Sequence, residues 1–344
     1  MDISLLCRLR EARGAFVPSG ALGADPDAVR RDLDELEAFG FAIERHPYGG
    51  VAYRGPAERL CPDQIEHELG TRRVGRRVAV WSRVTSTNDL AARAAASAAN
   101  EGLVILAEEQ TAGRGRRGRA WTAPPRSALL MSVLLFPPAP LGATGWLTAL
   151  GAVAAAEVVA DWTGREARIK WPNDVRVEGR KIAGVLVERG PGAVIGIGLN
   201  ANVTRDDLPE PLRASATSLR VLLGSPIDRS ELARALIRRL DAWYERGRAD
   251  GPQSLNPAWR DRSEHLGRAV RVTTPVGPVL GRLDDLDLQR GLSLALPGGG
   301  LGSIPARDVL ALTQLESDGG ADDHWPTSPV SSLGRTFLDG HGRD

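Results

Sequence analysis

A run of glycine and arginine, Gly113-Arg114-Gly115-Arg116-Arg117-Gly118-Arg119, lies between two apolar segments, Leu103–Ala107 and Leu129–Phe136, and is followed by Pro124-Pro125. That order restricts the fold more than any other feature. The run contains G-x-G-x-x-G after a strand-like segment, but a dinucleotide-binding turn must open a helix. Two prolines oppose a helix here, because each removes a donor and clashes with the preceding turn. A disordered RNA-binding Arg-Gly tract is also disfavoured, since such tracts sit in low-complexity surroundings and this one has strands on both sides. The reading left is an ordered anion-binding loop inside a mixed α/β unit. Its glycines let backbone N–H groups converge, and its arginines supply bidentate donors for phosphate and carboxylate oxygens. Such a loop becomes ordered around its ligand.

The same region restricts the chemistry. Between Arg76 and Glu264 there is no histidine and no cysteine. This argues against a thiol nucleophile, a serine–histidine pair and a zinc centre in the middle of the chain. Lys170 and Lys181 are the only two lysines among 44 basic residues. Arginine bias alone can produce such a count, but a compact, flexible ammonium also does things that a planar guanidinium cannot. Arg168 to Glu188 is therefore the segment in which to seek chemistry.

Length and composition add outer bounds. A chain of 344 residues implies two or three domains. A net charge of +1 gives no global attraction to nucleic acid or to an anionic membrane. Leu147–Ala156, the longest apolar stretch, is about half of a membrane span, so no transmembrane helix is expected. The N-terminus lacks a basic-then-apolar signal pattern, and Cys7 and Cys61 are isolated. A cytoplasmic protein is expected.

The predicted fold class is α+β in three parts. Residues 1–56 read as a winged helix-turn-helix. Asp25-Pro26-Asp27 starts a helix, Val29, Leu33, Leu36 and Phe39 recur at helical spacing, Gly40 stops it, and Tyr48-Gly49-Gly50 turns a hairpin. Residues 1–57 hold seven arginines against nine acidic residues, a net charge of −2, which is unusual for a DNA reader. Residues 57–76 read as a linker, and residues 77–264 as a mixed α/β domain with a long buried helix at Thr144–Trp162. Residues 265–315 read as a small SH3-like β-barrel. Residues 316–344, rich in Gly, Asp, Ser and Pro, read as a disordered tail.

Several blocks together resemble the biotin–protein ligase family. They are Ser86-Thr87-Asn88; Glu109-Gln110-Thr111-Ala112 with Gly113–Arg119 and Trp121; Lys170-Trp171-Pro172-Asn173-Asp174; Lys181 to Glu188; and Gly196-Ile197-Gly198-Leu199-Asn200. Residues 215–219, Ser-Ala-Thr-Ser-Leu, also match a family segment. The catalytic resemblance spans about residues 80–260. The two terminal units resemble the BirA-like bifunctional branch. The nearest enzyme alternative is a lipoate–protein ligase, which shares the scaffold, but the Gly-Arg loop and the Lys-Trp-Pro-Asn-Asp block favour biotin.

The resemblance implies a class II synthetase-like catalytic fold and a two-step reaction. The biotin carboxylate attacks the α-phosphate of ATP, and a lysine of an acceptor protein then displaces AMP. It implies catalytic roles for Lys181, Arg116, Asp174 and Lys170. Biotin contacts are implied for Ser86, Thr87, Asn88, Gln110, Gly113, Arg114, Gly115, Arg116, Lys181 and Gly184. ATP or adenylate contacts are implied for Arg116, Arg119, Trp121, Lys181 and Asn200. Asp174 is the carboxylate best suited to draw a proton from the incoming amine, although a turn-capping aspartate would look the same. Lys170 could instead make only a strand-end salt bridge. Magnesium is expected with ATP, without a confident set of protein side-chain ligands. The implied partners are a biotin carboxyl carrier protein of acetyl-CoA carboxylase, a second copy of the chain, and operator DNA if the winged helix acts as a repressor. No membrane partner is expected.

Overall fold

The computed structural model describes residues 1–315; the expected tail at 316–344 lies outside the described residues. The chain begins with three helices, α1 (Ile3–Glu11), α2 (Ser19–Leu22) and α3 (Pro26–Phe39), and a hairpin of β1 (Ala42–His46) and β2 (Gly50–Gly55). Local sequence explains α3. Asp25 accepts the Asp27 N–H at 3.0 Å, Pro26 occupies the first turn, and Gly40 ends the helix at φ 115°. Leu5, Leu6, Leu9, Leu33, Leu36 and Val51 close a small core of their own.

The segment expected as a linker is folded. Residues 57–76 contain α4 (Pro62–Glu66), and Leu60, Ile65, Leu69 and Val74 are buried in the main core. The N–H groups of Arg72, Arg73 and Val74 each donate to the Asp241 carboxylate at 2.8 Å. A segment with so many buried apolar side chains and paired backbone groups belongs to the unit it packs against.

The central unit is built on a seven-stranded sheet ordered β3-β4-β5-β9-β8-β7-β6. The chain runs β3 (Arg77–Trp81), α5 (Thr87–Ala94), β4 (Leu103–Ala107), β5 (Ala128–Leu135), α6 (Thr144–Thr163), β6 (Ala167–Lys170), β7 (Asp174–Val177), β8 (Arg180–Arg189) and β9 (Ala193–Asn200). Only β3 and β4 are parallel; the other neighbours are antiparallel. Two short helices, α7 (Glu210–Arg213) and α8 (Leu219–Leu223), lead to the long α9 (Arg229–Asp250). Helix α6 is apolar on all sides because it lies between the sheet and α9. At its closest approach to β8, a Cβ on Gly151 would meet Val185 at 2.9 Å.

After α10 (Asn256–Asp261) comes a five-stranded antiparallel sheet ordered β13-β12-β11-β10-β14. Its strands are β10 (Ala269–Thr274), β11 (Gly277–Asp287), β12 (Gly291–Ala295), β13 (Leu301–Ile304) and β14 (Ala311–Gln314). Its buried Val270, Leu283, Leu292 and Leu294 continue the main core. Asn256 donates to Asp287 at 2.7 Å, which pins this sheet to α10. Among the described residues no helix is long and apolar enough to cross a membrane.

Candidate functional site

The connection from β4 to β5 carries the glycine–arginine run. It forms no helix beyond a single turn at Arg116–Gly118, where Arg117 adopts φ 57°. The run arches over one face of the sheet and encloses a cavity of about 330 Å³. The N-terminus of α5, the floor strands β8 and β9, the β6–β7 turn and the start of β14 complete the walls.

One end of the cavity is polar and uncharged. Gln110 Oε1 accepts from the Thr87 N–H at 2.7 Å and from the Thr87 hydroxyl at 3.0 Å. Ser132 Oγ lies 2.7 Å from Thr87 Oγ1 and 2.6 Å from Asn88 Oδ1. Ser86 is the N-cap of α5 by position, yet its side chain makes no capping bond. Ser86 lines the cavity, and Gln110 takes the N–H of Thr87 beside it.

The floor is bare backbone. A Cβ on Gly198 would collide with the Trp121 indole, and one on Gly196 would collide with Asn88 Oδ1. A Cβ on Gly184 would stand 3.2 Å from both Lys181 Nζ and Trp121. Glycine at these strand positions lets Trp121 and Asn88 lie flat against the sheet. The Trp121 Nε1 donor is buried without a partner among the described residues.

The other end is cationic. Lys181 Nζ is 2.7 Å from Asp174 Oδ1 and 5.5 Å from the centre of the Trp121 ring. Asp174 is the single carboxylate in the cavity lining, facing Arg114, Arg116, Arg117, Arg119, Lys170 and Lys181. Among the described residues Arg116, Arg119 and Lys170, all in the cavity lining, have no ion-pair partner. Desolvation in the cleft, then the neighbouring Arg117, push the Arg116 guanidinium below its ordinary pKa, although the side chain still reaches solvent. A cation so placed favours an incoming anion.

Other expected site residues are placed differently. The Arg114 guanidinium is held by Asp89 at 2.7 Å and by Glu188 at 3.1 Å, so it clasps the loop to α5 and β8 and is not a free anion donor. These bonds hold Asp89 below the usual carboxylate range and raise Arg114 above its ordinary value. Gly113 does not reach the cavity; a Cβ there would collide with the Trp121 carbonyl, so it serves close backbone approach. Asn200 is buried at the end of β9 and donates to the Thr217 carbonyl at 2.9 Å, away from the cavity lining. It is a strut, because the chain after β9 turns back across it. Gly115 and Arg119 line the cavity as expected.

Sequence reading missed Ser132, Glu188, and the Leu310–Thr313 edge of the last sheet, which lines the cavity while Arg117 donates to the Leu310 carbonyl at 2.5 Å. Glu188 closes a block already noted, so its spacing offered a signal. Ser132 sits in a continuous apolar strand, and nothing local distinguishes the last strand.

Among the described residues no group of three or more His, Cys, Asp and Glu is placed to hold a metal ion. The donor set, rich in guanidinium and ammonium groups, suits a polyanion.

A cleft on a mixed sheet, with one polar uncharged end and one cationic end, is the site that comparison with known proteins places in a class. The model of the biotin/lipoate A/B protein ligase family matches residues 80–200. The chain is 39% identical over 267 residues to a biotin–[acetyl-CoA-carboxylase] ligase of Mycobacterium tuberculosis, covering 74% of this chain and 98% of that one. It is 31% identical over 297 residues to the bifunctional ligase/repressor BirA of Bacillus spizizenii, covering 85% of this chain and 91% of the other. The biotin protein ligase of Aquifex aeolicus, solved with biotin and ATP, superposes with a TM-score of 0.62 at 25% identity, covering 70% of this chain and all of that one. The chain belongs to the biotin–protein ligase family.

Proposed function

We propose that the cleft joins biotin to AMP and then passes the biotinoyl group to a lysine of a biotin carboxyl carrier domain. The observation that carries this is the Lys181–Asp174 pair at 2.7 Å, in one cavity with Arg116, Arg119 and Lys170, which are unpaired among the described residues. Step one brings a carboxylate onto a phosphate, so fixed positive charge and orientation supply most of the catalysis. Ser86, Thr87, Asn88 and Gln110 form a hydrogen-bonding end suited to the ureido head of biotin. Its tail runs over Gly184 toward Lys181. The ammonium of Lys181 follows both the carboxylate and the α-phosphate as the bond forms. Arg116 and Arg119 neutralise the phosphates, and Trp121 offers a flat face to the adenylate.

In step two Asp174 is the one carboxylate at hand to take the proton of the incoming amine. Lys170, its cross-strand neighbour, stabilises the departing phosphate. The N-terminal helices and hairpin have the form of a winged helix-turn-helix, the central unit is class II synthetase-like, and the last sheet has the size of an SH3-like barrel. We assign 1–56, 77–264 and 265–315 to these domains, with 57–76 folded onto the second, and the setting is the cytoplasm. Parallel assays of labelled biotin and labelled lipoate with a carrier domain test the proposal. Transfer of biotin alone supports it; transfer of lipoate alone defeats it.

A further inference from the structure

Both lysines of this chain lie in the cleft wall, and all other basic residues are arginine. Lys181 is half-buried and engaged by Asp174 at 2.7 Å. Lys170 is half-buried on β6, as the cross-strand partner of the same aspartate. The exposed basic residues around the cleft, Arg117 and Arg119 among them, are guanidinium groups. A guanidinium keeps its proton at any ordinary pH and offers no lone pair to an acyl group.

We propose that this enzyme cannot acylate its own surface. The inference rests on the ligase reading above. In the acyl transfer, an amine lone pair forms an N–C bond to the acyl carbon, the C–O bond to the phosphate breaks, AMP leaves, and the amine proton passes to solvent. The outside of this fold provides no lysine amine for that step. An adenylate that lingers in the cleft or escapes from it therefore finds no lysine on the enzyme's outer surface, and the carrier lysine has no lysine competitor there. A single arginine-to-lysine exchange outside the cleft supplies the missing acceptor.

The test exposes wild type, Arg205→Lys after β9 and Arg31→Lys on α3 to synthetic biotinoyl-5′-AMP, then maps biotin on lysine by peptide mass spectrometry. Both arginines are exposed. The expected result is at least tenfold more lysine-bound biotin in each variant than in wild type, located at the new residue. Wild type labelled at Lys170 or Lys181 as heavily as the variants, or variants left unlabelled, overturns the proposal. A parallel incubation with biotin and ATP reads pyrophosphate release. If that fails while the synthetic adenylate behaves as expected, the ligase reading is at fault and surface inertness stands.

Discussion

In the proposed reaction two residues of the cleft divide the work, Lys181 toward the anions and Asp174 toward the amine; the 2.7 Å bond between them keeps each in place. Asp174→Asn removes the proton acceptor while leaving an oxygen for Lys181. It should leave adenylate formation within a fewfold of wild type and slow transfer to the carrier by about 10²–10⁴, the usual worth of a positioned base. Single-turnover assays of each half-reaction check this; equal losses in both steps would contradict it. His265 makes a different prediction. Burial first, then Lys170 and Arg176, push its pKa down from 6.5 to about 4, and its Nδ1 has no partner among the described residues. The native state thus holds a neutral imidazole while the unfolded state takes a proton below about 6.5. Its contribution is fully present above that pH and is lost as pH falls toward 4, by roughly 3 kcal/mol. His265→Leu should flatten the fall in Tm between pH 6.5 and 4; an unchanged fall would refute the assignment.

At the scale of elements, the loop is held from outside the cavity. Glu108, directly after β4, lies in a buried pair with Arg229 at 2.6 Å and accepts the Leu60 N–H at 2.5 Å. Arg229 also donates to the carbonyls of Glu58 and Ala128. This joint ties the segment before α4 to the strand that launches the glycine–arginine loop. Glu108→Ala would strand a buried guanidinium at a cost of about 3–5 kcal/mol. Urea unfolding should show that loss, and a loss below 1 kcal/mol would mean water reaches the pair. Much at this scale was legible in the sequence. Leu103–Ala107 is the strand the residues announce, α3 has its caps, and Pro124-Pro125 keeps the loop from becoming a helix. Helix α4 was hidden because five residues form a helix only with the support of what they pack on. The partners of Arg114 and Asn200 were illegible for a related reason. A motif names a residue type, while the partner that occupies it, Asp89 or the Thr217 carbonyl, is set by tertiary packing.

For the whole molecule, the three parts carry unequal burdens. The central sheet and the β14 edge make the cleft, and that edge could not be foreseen because its contact with Arg117 spans nearly two hundred residues. The N-terminal unit, proposed above as a winged helix-turn-helix, lacks the charge of a DNA reader. Arg45 is bound by Asp34 and Glu37, and Arg30 by Asp27, so two of the cations near α3 are already paired. Selection from a random duplex pool at physiological salt should therefore yield no tight site, and a sequence bound at nanomolar Kd would reverse that expectation. The central claim is that the Lys181 ammonium drives adenylate formation. It is tested most directly by pyrophosphate release from Lys181→Ala supplied with biotin and ATP. The account predicts a loss of about 10²–10³, the scale of removing one preorganised charge from a transition state. Release within twofold of wild type would contradict it.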